Sequence, residues 1–276
     1  MHQKIAIQGV KGAFHDRAAH LFFGDDIEIV PALTFEALVA AVLEGRADSA
    51  VMAIENTIAG SLLANYNLLY HHDLHIKGEV GLRIRQNLMT LPGVKIEDLI
   101  EVHSHPVALA QCERFFEDYP HIRLVESHDT AASAAEIAAN QYQNRGAIAS
   151  DWAATIYNLE VIAPSIETYR ANYTRFLAID RHNIMNHLSN KASLSLIVSH
   201  QPGSLHQVLE VLATAGANLT KIQSLPLPEH PFEYQFFIDF TTEYPVDMNP
   251  IIESVKAVTH QVKVLGLYLS GKVYES

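Results

Sequence analysis

The chain has 276 residues, of which 49% are hydrophobic and 18% charged, and its formal net charge is −12 at pH 7. Such a composition predicts about two folded domains with substantial cores, and its acidity disfavours nucleic acid or an anionic membrane as a partner. The single cysteine, Cys112, excludes an internal disulfide and suits a reducing compartment.

The start of the chain shows no export signal, because residues 1–5 lead directly into a strand pattern, and no apolar run is long enough to span a bilayer. We therefore expect a cytoplasmic protein. The 16 histidines are scattered along the chain. Pairs such as His71 and His72 lack the spacing of metal ligands, so we predict no metal site.

The first part of the chain alternates short strand and helix patterns. Strands are predicted at 4–8, 27–30 and 48–54, and helices at 16–23, at 35–44 and from 62 onward. Thr34 is expected to cap the second helix and Gly45 to end it. The turn Gly9-x-x-Gly12 is either a plain tight turn or an anion cradle at a helix N-terminus, and it lacks the third glycine of a dinucleotide fingerprint.

Polar residues 55–61 directly follow the apolar strand pattern at 48–54. The carboxyl end of a strand, just before a helix, is where open α/β sheets bind ligands. Asn56 and Thr57 are therefore candidate ligand-binding residues. A helix cap supplied by Asn56, Thr57 or Ser61 is the alternative, and the two roles are compatible because a cap needs one such residue.

From residue 74 onward the pattern predicts a second α/β lobe. A β-type run covers 74–91 and carries Arg83 and Arg85, which are either exposed charges or a source of positive charge for a cleft. Further strands are predicted at 122–125, 147–150 and 160–163, and further helices at 107–116, 131–139 and 151–157.

Polar residues also mark two strand-to-helix junctions of the second lobe. Ser104 and His105 precede the helix at 107–116, and Thr130 stands with Asp129 at the cap of the helix at 131–139. Together with Asn56 and Thr57, these junctions predict a cleft between the two lobes that binds a small ligand. Gln111, inside a predicted helix, is interpreted as a packing residue.

The stretch at 172–179 places a hydroxyl beside a guanidinium, and an apolar run follows that predicts a buried strand. A buried strand holds its leading residues rigidly, as a site for a small anion requires. Thr174 and Arg175 are therefore candidate site residues. The alternative is that Thr174 merely starts a strand and Arg175 is a surface charge.

Five motifs in these stretches, taken in order, resemble those of the prephenate dehydratase family. The matching residues are Gly9-x-x-Gly12-Ala13-Phe14, Ile54-Glu55-Asn56-Thr57-x-x-Gly60-Ser61, Ser104-His105-Pro106-x-Ala108-Leu109-Ala110-Gln111-Cys112, Asp129-Thr130-Ala131 and Asn172-x-Thr174-Arg175-Phe176. The resemblance covers nearly all of residues 1–180. It implies conversion of prephenate to phenylpyruvate, with loss of carbon dioxide and water, in phenylalanine synthesis.

The resemblance also implies a fold and a set of roles. The fold is α/β, with two lobes like those of periplasmic binding proteins and the substrate between them. Thr174 and Arg175 match essential active-site residues of the family. Phe176, the third residue of the expected catalytic set, is expected to pack behind them. Thr174 would assist the departing hydroxyl, whereas Arg175 would clamp a substrate carboxylate or hold the lobe wall. The residues expected to line the substrate cleft are Asn56, Thr57, Ser104 and Thr130.

The chemistry needs no cofactor, because formation of the aromatic ring drives the reaction. The chain departs from the family pattern at three positions near the site. Ala53 replaces the usual proline, Thr57 replaces a serine and keeps the hydroxyl, and His15 stands where serine or threonine is usual. The contact that the first lobe makes through residue 15 is therefore open.

Residues 192–271 follow a β-α-β-β-α-β order that is typical of the ferredoxin-like fold. Strands are predicted at 194–199, 218–225, 232–241 and 262–269, and helices at 204–215 and 249–259. This segment resembles the ACT domain, the amino-acid-sensing module of the family, which implies feedback inhibition by L-phenylalanine and a homodimer or tetramer assembled through the module. Ser204 is expected to cap the first helix.

The residues expected to bind the effector are Gly203, Ser204, Leu205, Asn218, Leu219, Ile222 and Ser224. The family signature Glu-Ser-Arg-Pro is replaced by Gln223-Ser224-Leu225-Pro226, so the loss of two charges would weaken the response to effector or only change the local pairing. A dimerisation module without a ligand is the alternative interpretation.

The predicted domain boundaries are 1–181 for the catalytic domain, 182–191 for a polar linker and 192–271 for the ACT domain. Within the catalytic domain, 1–73 and 170–181 form the first lobe and 74–169 the second. Two other functions remain open at this stage: an arogenate dehydratase, whose substrate differs by an amino group, and a two-lobed sensor that releases its ligand unchanged.

Overall fold

A computed structural model describes residues 2–182, 188–227 and 234–275. The chain divides into two compact units by its internal contacts. The first unit comprises residues 1–61, 80–176 and 273–276, and the second comprises residues 62–79 and 177–272. The first unit therefore holds most of both predicted lobes, and the domain boundaries given above stay a prediction.

The first sheet has seven strands among the described residues, in the order β16-β5-β11-β3-β1-β2, and β4 pairs with β3. Its strands are β1 (Gln3–Gln8), β2 (Ile27–Ala32), β3 (Ser49–Asn56), β4 (Gly60–Ser61), β5 (His75–Arg83), β11 (Tyr173–Asp180) and β16 (Val273–Tyr274). Three helices follow β1, β2 and β4 along the chain. They are α1 (Phe14–Phe23), α2 (Phe35–Leu43) and α3 (Leu63–His71), respectively. The predicted early strands and helices are thus confirmed, and β4 and β16 were not predicted.

Local signals set the ends of these elements. The Thr34 side chain accepts a hydrogen bond from the Ala37 N–H at 3.2 Å and caps α2 as predicted. Gly45, with φ of 74°, follows the end of that helix. Strand β3 is buried along its first six residues and pairs in parallel with β1, as its unbroken apolar run indicates.

The second sheet, as far as the structure describes the chain, has five strands, in the order β10-β6-β9-β7-β8. Its strands are β6 (Asn87–Thr90), β7 (Glu101–Ser104), β8 (Arg123–Glu126), β9 (Arg145–Ala149) and β10 (Glu160–Ala163). A short 3-10 helix (Ile96–Asp98) precedes β7, and the α-helices are α4 (Pro106–Phe116), α5 (Thr130–Asn140) and α6 (Asp151–Tyr157). Asp129 caps α5 by accepting from the Ala132 N–H at 2.8 Å. The second lobe is therefore α/β, as predicted.

The continuous β-type run predicted at 74–91 is wrong in one respect, because residues 84–86 separate β5 from β6. The backbone in this break bonds to distant segments rather than to a neighbouring strand. The Ile84 N–H donates to the Asn172 carbonyl at 2.7 Å, and the Gln86 carbonyl accepts from the Ile166 N–H at 2.8 Å. The break thus ties the start of the second lobe to residues 166–172.

Over residues 188–227 and 234–275, the third sheet has four antiparallel strands, in the order β13-β14-β12-β15. Its elements are β12 (Ser189–Ile197), α7 (Ser204–Thr214), β13 (Asn218–Pro226), β14 (Tyr234–Val246), α8 (Asn249–Lys256) and β15 (Gln261–Tyr268). This is the predicted ferredoxin-like β-α-β-β-α-β topology. A core of buried residues that includes Leu194, Val208, Phe240 and Ile252 joins its helices to its sheet.

Two details of this region differ from the sequence prediction. Strand β12 begins at Ser189, inside the predicted linker, because Ser189 pairs with Val246 of β14; pairing with β15 starts at Lys191. Residues 183–187 of that linker lie outside the described residues. Helix α7 is capped by Gly203, with φ of 88°, and not by Ser204. The Ser204 hydroxyl instead donates to the Gln201 carbonyl at 3.0 Å.

The predicted strand at 232–241 is observed from Tyr234, and its first two residues lie outside the described part of the chain. Within the described residues, no helix combines the length and the apolar character needed to cross a bilayer.

Candidate active site

Asn56, at the end of β3, is the centre of a hydrogen-bond network. Its amide nitrogen has two hydrogens that it shares among three acceptors: the Asn172 Oδ1 at 2.7 Å, the Thr174 Oγ1 at 2.9 Å and the Tyr173 carbonyl at 3.2 Å. Its amide oxygen accepts from the N–H groups of Ile58 and Ala59, both at 2.9 Å. The side chain is therefore fixed in orientation, and it joins the end of β3 to the start of β11.

The helix-cap alternative for this stretch is wrong for Asn56. The N-cap of α3 is Leu62, and its side chain makes no capping hydrogen bond. The Asn56 amide oxygen accepts the hydrogen bonds that close the turn after β3, and its amide nitrogen donates to residues of β11.

Thr174 is 9% exposed, and its hydroxyl accepts a hydrogen bond from Asn56. Because an amide nitrogen can only donate, Asn56 leaves the hydroxyl proton of Thr174 directed elsewhere. A hydroxyl held in this way can donate to an oxygen of a bound ligand, and its lone pair is oriented before the ligand arrives.

The network continues into the second lobe through Gln111 of α4. Its amide oxygen accepts from the Asn172 Nδ2 at 3.2 Å and from the Gln86 Nε2 at 3.1 Å. The Gln86 N–H in turn donates to the Glu167 carboxylate at 2.9 Å. Interpreting Gln111 as a packing residue was therefore wrong. The sequence offered one sign that Gln111 belongs to the site, namely its place in the motif at residues 104–112. It offered no such sign for Gln86 or Glu167.

Three buried polar atoms in this region have no hydrogen-bond partner among the described residues: the Gln86 Oε1, the Glu167 Oε1 and the Arg85 Nε. Buried polar atoms are nearly always paired in folded proteins, and each unpaired one costs about 1–3 kcal/mol. Two acceptors and one cationic donor beside the Asn56 network therefore mark the place where a polar ligand is expected to bind.

Thr57 lies beside this network, but its hydroxyl is already engaged by the backbone of the first unit. It donates to the Ala171 carbonyl and accepts from the Tyr173 N–H, both at 2.9 Å. The Thr57 N–H also donates to the Tyr173 carbonyl at 2.9 Å. The structure gives Thr57 the task of anchoring the start of β11, and its contact with substrate stays a prediction.

The two second-lobe candidates do not join the Asn56 network. Ser104 is fully buried, and its hydroxyl donates to the Ile148 carbonyl at 2.6 Å, which holds β7 against β9. Thr130 is half-buried at the first position of α5. Substrate contacts of Ser104 and Thr130 stay predictions.

Arg175 and Phe176 follow Thr174 on β11. The Arg175 guanidinium is 17% exposed and lies 4.0 Å from the Glu55 carboxylate. Phe176 is buried, and its ring meets the His15 ring edge-on with centroids 5.0 Å apart. Phe176 is thus a buried packing residue, while its place behind Thr174 and Arg175, and catalytic roles for Arg175 and Phe176, stay predictions.

The His15 imidazole packs against the rings of Phe35 and Phe176 and is held neutral. Its Nε2 accepts from the Ala53 N–H at 3.3 Å, which places the ring proton on Nδ1. Burial lowers the pKa of His15 from 6.5 to about 3. The residue that stands where the family has serine or threonine therefore still offers a neutral hydrogen-bond donor.

Because the folded-state pKa of His15 is depressed, the unfolded chain binds a proton there first, and stability is lost as the pH falls below about 6.5 toward 3. Replacing His15 with glutamine, which keeps an acceptor for the Ala53 N–H, is expected to flatten the decline in stability between pH 6.5 and pH 4. Urea unfolding at several pH values measures this slope. His121→Gln, at an exposed imidazole, is the matched control; equal slopes for the wild type and His15→Gln would contradict the assignment.

The Gly9–Gly12 turn contacts the second lobe and does not form a simple anion cradle. The Gly12 N–H donates to the Asp16 carboxylate at 2.7 Å, so it is engaged within the first lobe. The Gly12 carbonyl accepts from the Ser150 hydroxyl at 2.7 Å, and the Lys11 carbonyl accepts from the Tyr157 hydroxyl at 2.6 Å. The turn therefore fixes how the two lobes meet within the first unit.

Both glycines of this turn are required by their geometry. They have φ of 95° and 89°, and a Cβ on Gly9 would lie 2.6 Å from an Asp129 carboxylate oxygen. Asp16, which accepts from the Gly12 N–H, also accepts from the Trp152 ring N–H at 2.9 Å. Asp129 stands next to Thr130, so the glycine turn brings that junction close to the first lobe.

A second candidate site is a cavity of about 410 Å³ in the second unit. It is lined by Val198, Ser199, His200, Gln201, Pro202, Ser204, Leu205, Tyr234 and Phe236. Ser204 and Leu205 were predicted from sequence, and Gly203 stands next to them as the N-cap of α7. The other predicted effector residues lie on strand β13 at the edge of the sheet, where Asn218, Ile222 and Ser224 are exposed and Leu219 is half-buried.

Comparison with known proteins places this chain in a family. The sequence profile described as prephenate dehydratase matches residues 5–184. An Arabidopsis thaliana protein described as arogenate dehydratase/prephenate dehydratase 2 is 40% identical over 86% of this chain and 65% of its own length. The chain thus spans slightly less than two thirds of that plant relative.

Other relatives match nearly all of this chain, so the similarity extends beyond residue 184. A bifunctional chorismate mutase/prephenate dehydratase from Aquifex aeolicus is 34% identical over 99% of this chain and 75% of its own length. A solved structure described as GqqA, a novel type of quorum-quenching acylase, is 31% identical, with a TM-score of 0.85 over 97% of this chain and 98% of that one. The prephenate dehydratase of Arthrobacter aurescens, solved in complex with L-Phe, shares the fold at 24% identity, with a TM-score of 0.82 over 96% of this chain and 89% of that one. By the profile match and these relatives, the chain belongs to the prephenate dehydratase family.

Proposed function

We propose that this protein converts prephenate to phenylpyruvate, with loss of carbon dioxide and water, in phenylalanine biosynthesis. One observation carries the proposal: the Thr174 hydroxyl accepts from Asn56, keeps its own proton for a ligand, and stands in a network that borders three unpartnered buried polar atoms. Family membership supports the reaction class, and the hydrogen bonds of Thr174 support the role that we propose for it.

The reaction balances without an added oxidant or reductant. The bond between the ring and its carboxylate breaks and releases carbon dioxide, and that electron pair enters the ring as the carbon–oxygen bond of the ring hydroxyl breaks. The departing oxygen takes up a proton and leaves as water. Negative charge builds on that oxygen in the transition state, so a fixed donor aimed at it lowers the barrier. Thr174 is that donor.

A dicarboxylate substrate also needs positive charge nearby. The Arg85 guanidinium brings a buried, unpartnered Nε to the region of the network, and Arg175 follows Thr174 on β11. Guanidinium groups bind carboxylates with paired hydrogen bonds, which fixes both position and orientation. We assign the binding of a substrate carboxylate to Arg85. Arg175 points to the face of β11 opposite to Thr174, so we assign it the role of holding the lobe wall, beside Glu55.

The direct test is an assay of purified protein with prephenate, monitoring the absorbance of phenylpyruvate in alkali. A parallel assay with arogenate, monitoring formation of phenylalanine, decides between the two substrates that the names of the relatives print. Prephenate turnover at least tenfold above arogenate turnover supports the proposal. Turnover of arogenate alone would move the proposal to that substrate, and turnover of neither would overturn it.

Amide hydrolysis is the second candidate, because the acylase structure matches the whole chain. Acyl transfer by a hydroxyl nucleophile requires a base within hydrogen-bond reach of that hydroxyl. The observed partner of Thr174 is the Asn56 amide nitrogen, which is not a base. This favours dehydration, and a long-chain N-acyl amide in the same assay series tests the alternative.

We further propose that L-phenylalanine regulates the enzyme through an ACT domain, which also assembles the chain into a dimer or tetramer. The cavity beside α7 offers an apolar wall with Leu205 and Phe236 for the ring. The N-terminus of α7 offers backbone N–H groups for the carboxylate. Both halves of the effector are thus accommodated in one cavity.

At millimolar L-phenylalanine, we expect a rise in the Tm of the wild type, because a ligand that binds only the folded state stabilises it. Leu205→Ala is expected to lose most of that rise. Ile251→Ala, at another half-buried aliphatic residue of the same unit, serves as the matched control and should keep it. If millimolar L-phenylalanine changes neither Tm nor activity of the wild type, the module serves for assembly alone.

A further inference from the structure

Strand β16 completes the edge of the first sheet and was not foreseen from the sequence. It pairs in parallel with β5, with Val273 opposite Gly81 and Tyr274 opposite Leu82. A Cβ on Gly81 would lie 2.9 Å from a methyl group of Val273, so the glycine permits the close approach of the two strands. The pairing fixes the position of the next residue, Glu275.

The Glu275 carboxylate holds three side chains that belong to the first unit. It accepts from the Arg83 Nη1 at 2.9 Å and from the Tyr173 hydroxyl at 2.9 Å, and it lies 3.5 Å from the Arg85 Nη2. The hydrogen bonds from Arg83 and Tyr173 lower the pKa of Glu275 below its ordinary value. The carboxylate is therefore ionised at neutral pH.

These contacts lead directly to the candidate active site. Tyr173 precedes Thr174, and its backbone N–H and carbonyl are both bonded to Thr57. Successive residues of a strand point to opposite faces, so Glu275 holds Tyr173 on the face opposite to the one where Thr174 meets Asn56. Arg85, the next residue that Glu275 contacts, carries the buried Nε of the candidate site.

An isolated ion pair at the surface contributes little, typically below about 1 kcal/mol. Glu275 differs from such a pair because one carboxylate joins the end of β5 to the start of β11. Arg83 adds a further tie, since its Nε donates to the Arg170 carbonyl at 3.2 Å. Three side chains are thus connected through one carboxylate, and Arg83 extends the connection to the backbone at Arg170.

We propose that Glu275 is a positioning residue for the reaction: through Tyr173, Arg83 and Arg85, it sets the place of the Thr174 hydroxyl and of the Arg85 guanidinium. The inference rests on the proposed function for its kinetic consequence and on the contacts above for its geometry. Misplacing a catalytic group by a fraction of an ångström lowers the rate without abolishing binding.

The test compares Glu275→Gln with Glu44→Gln, whose carboxylate makes an exposed ion pair with Arg46 at 2.8 Å in the same unit. Glu275→Gln is expected to lower kcat for prephenate by about 3- to 10-fold while KM changes less than about twofold. Glu44→Gln should change neither. Unchanged kcat in Glu275→Gln, or a rise in KM alone, would overturn the proposal.

Tyr173→Phe provides a second kinetic arm, because it removes the hydroxyl that bonds to Glu275. If the two residues act as one unit, the double variant is expected to lose no more activity than the worse single variant. Losses that multiply would show that Glu275 does not act through Tyr173.

Hydrogen exchange separates this inference from the proposed function. If the wild type does not turn over prephenate, the proposed function fails, but the positioning claim is still measured by amide exchange over residues 172–176. Glu275→Gln is expected to exchange there several-fold faster than the wild type and Glu44→Gln. Equal exchange in all three proteins would overturn the positioning role whatever the substrate.

Discussion

Replacing Thr174 with alanine is expected to lower kcat for prephenate by about 10²- to 10³-fold, the usual cost of one donor to a developing oxyanion. The reason is local and specific. The Thr174 hydroxyl accepts from Asn56, and in the proposed mechanism it directs its own proton to the departing oxygen, so alanine removes that donor. Steady-state kinetics of the purified variant measure the effect.

The same substitution should leave the fold intact, which makes the kinetic result interpretable. Without the threonine hydroxyl, the Asn56 amide nitrogen keeps its bonds to the Asn172 side chain and the Tyr173 carbonyl. We therefore expect a Tm within a few degrees of that of the wild type.

Thr174→Ser is the matched control, because it retains the hydroxyl and loses only a methyl group. It is expected to keep kcat within about tenfold of the wild type. Wild-type turnover in a folded Thr174→Ala variant would show that the hydroxyl does not assist the leaving group, and the enzyme proposal would then rest on family membership alone.

The fold was predictable wherever the decisive interactions are local. Thr34 and Asp129 cap the helices that follow them by accepting hydrogen bonds from backbone N–H groups three positions away. Such a local pattern can be recognised in the sequence. The order of strands and helices in the second unit could be predicted for the same reason, because strands and helices each show their own period of hydrophobic residues.

The candidate site was only partly predictable, because its contacts join distant segments. Asn56 and Thr174 were identified from motifs, but the bond between them crosses 118 positions. Gln111 was misjudged because a glutamine inside a helix has no local sign of its partners, and those partners are side chains of other segments. Gln86 and Glu167 carry no motif at all.

Small free-energy differences decide other details, such as which residue caps a helix, and the sequence alone does not show which alternative has the lower free energy. Serine is a favourable N-cap in general, yet Gly203 caps α7 because its φ of 88° is accessible to glycine. The Ser204 hydroxyl shares a hydrogen bond with Ser199 at 2.6 Å instead. A pairing of two residues such as β16 is likewise too short for any periodicity to reveal.

The second unit contains a buried ion pair on which its stability is expected to depend. The Lys191 ammonium donates to both oxygens of Glu79, at 2.8 and 2.9 Å, and each residue is 8% exposed. The Gly271 N–H donates to the same carboxylate at 3.2 Å. The pair connects β5 to β12, so its loss affects two segments of the unit that are distant in sequence.

Removing one member of a buried pair leaves an uncompensated charge, which typically costs about 3–5 kcal/mol. Glu79→Ala is therefore expected to lower the free energy of unfolding of the second unit by about that amount. The double variant Glu79→Leu/Lys191→Met removes both charges and should recover most of the loss, because apolar residues of similar volume replace a buried pair at little cost.

Two probes locate the effect in the second unit. Trp152 is the single tryptophan and lies in the first unit, so its fluorescence follows that unit, whereas circular dichroism follows both. Glu79→Ala should therefore shift the dichroism transition in urea more than the fluorescence transition.

The matched control is Glu253→Ala, which breaks an exposed pair with Lys256 at the same 2.8 Å in the same unit. A surface pair is worth about 0–1 kcal/mol, so this variant should unfold close to the wild type. Burial, and not distance, then accounts for the difference between the two pairs. Equal losses in Glu79→Ala and Glu253→Ala, or a double variant as unstable as Glu79→Ala, would contradict that account.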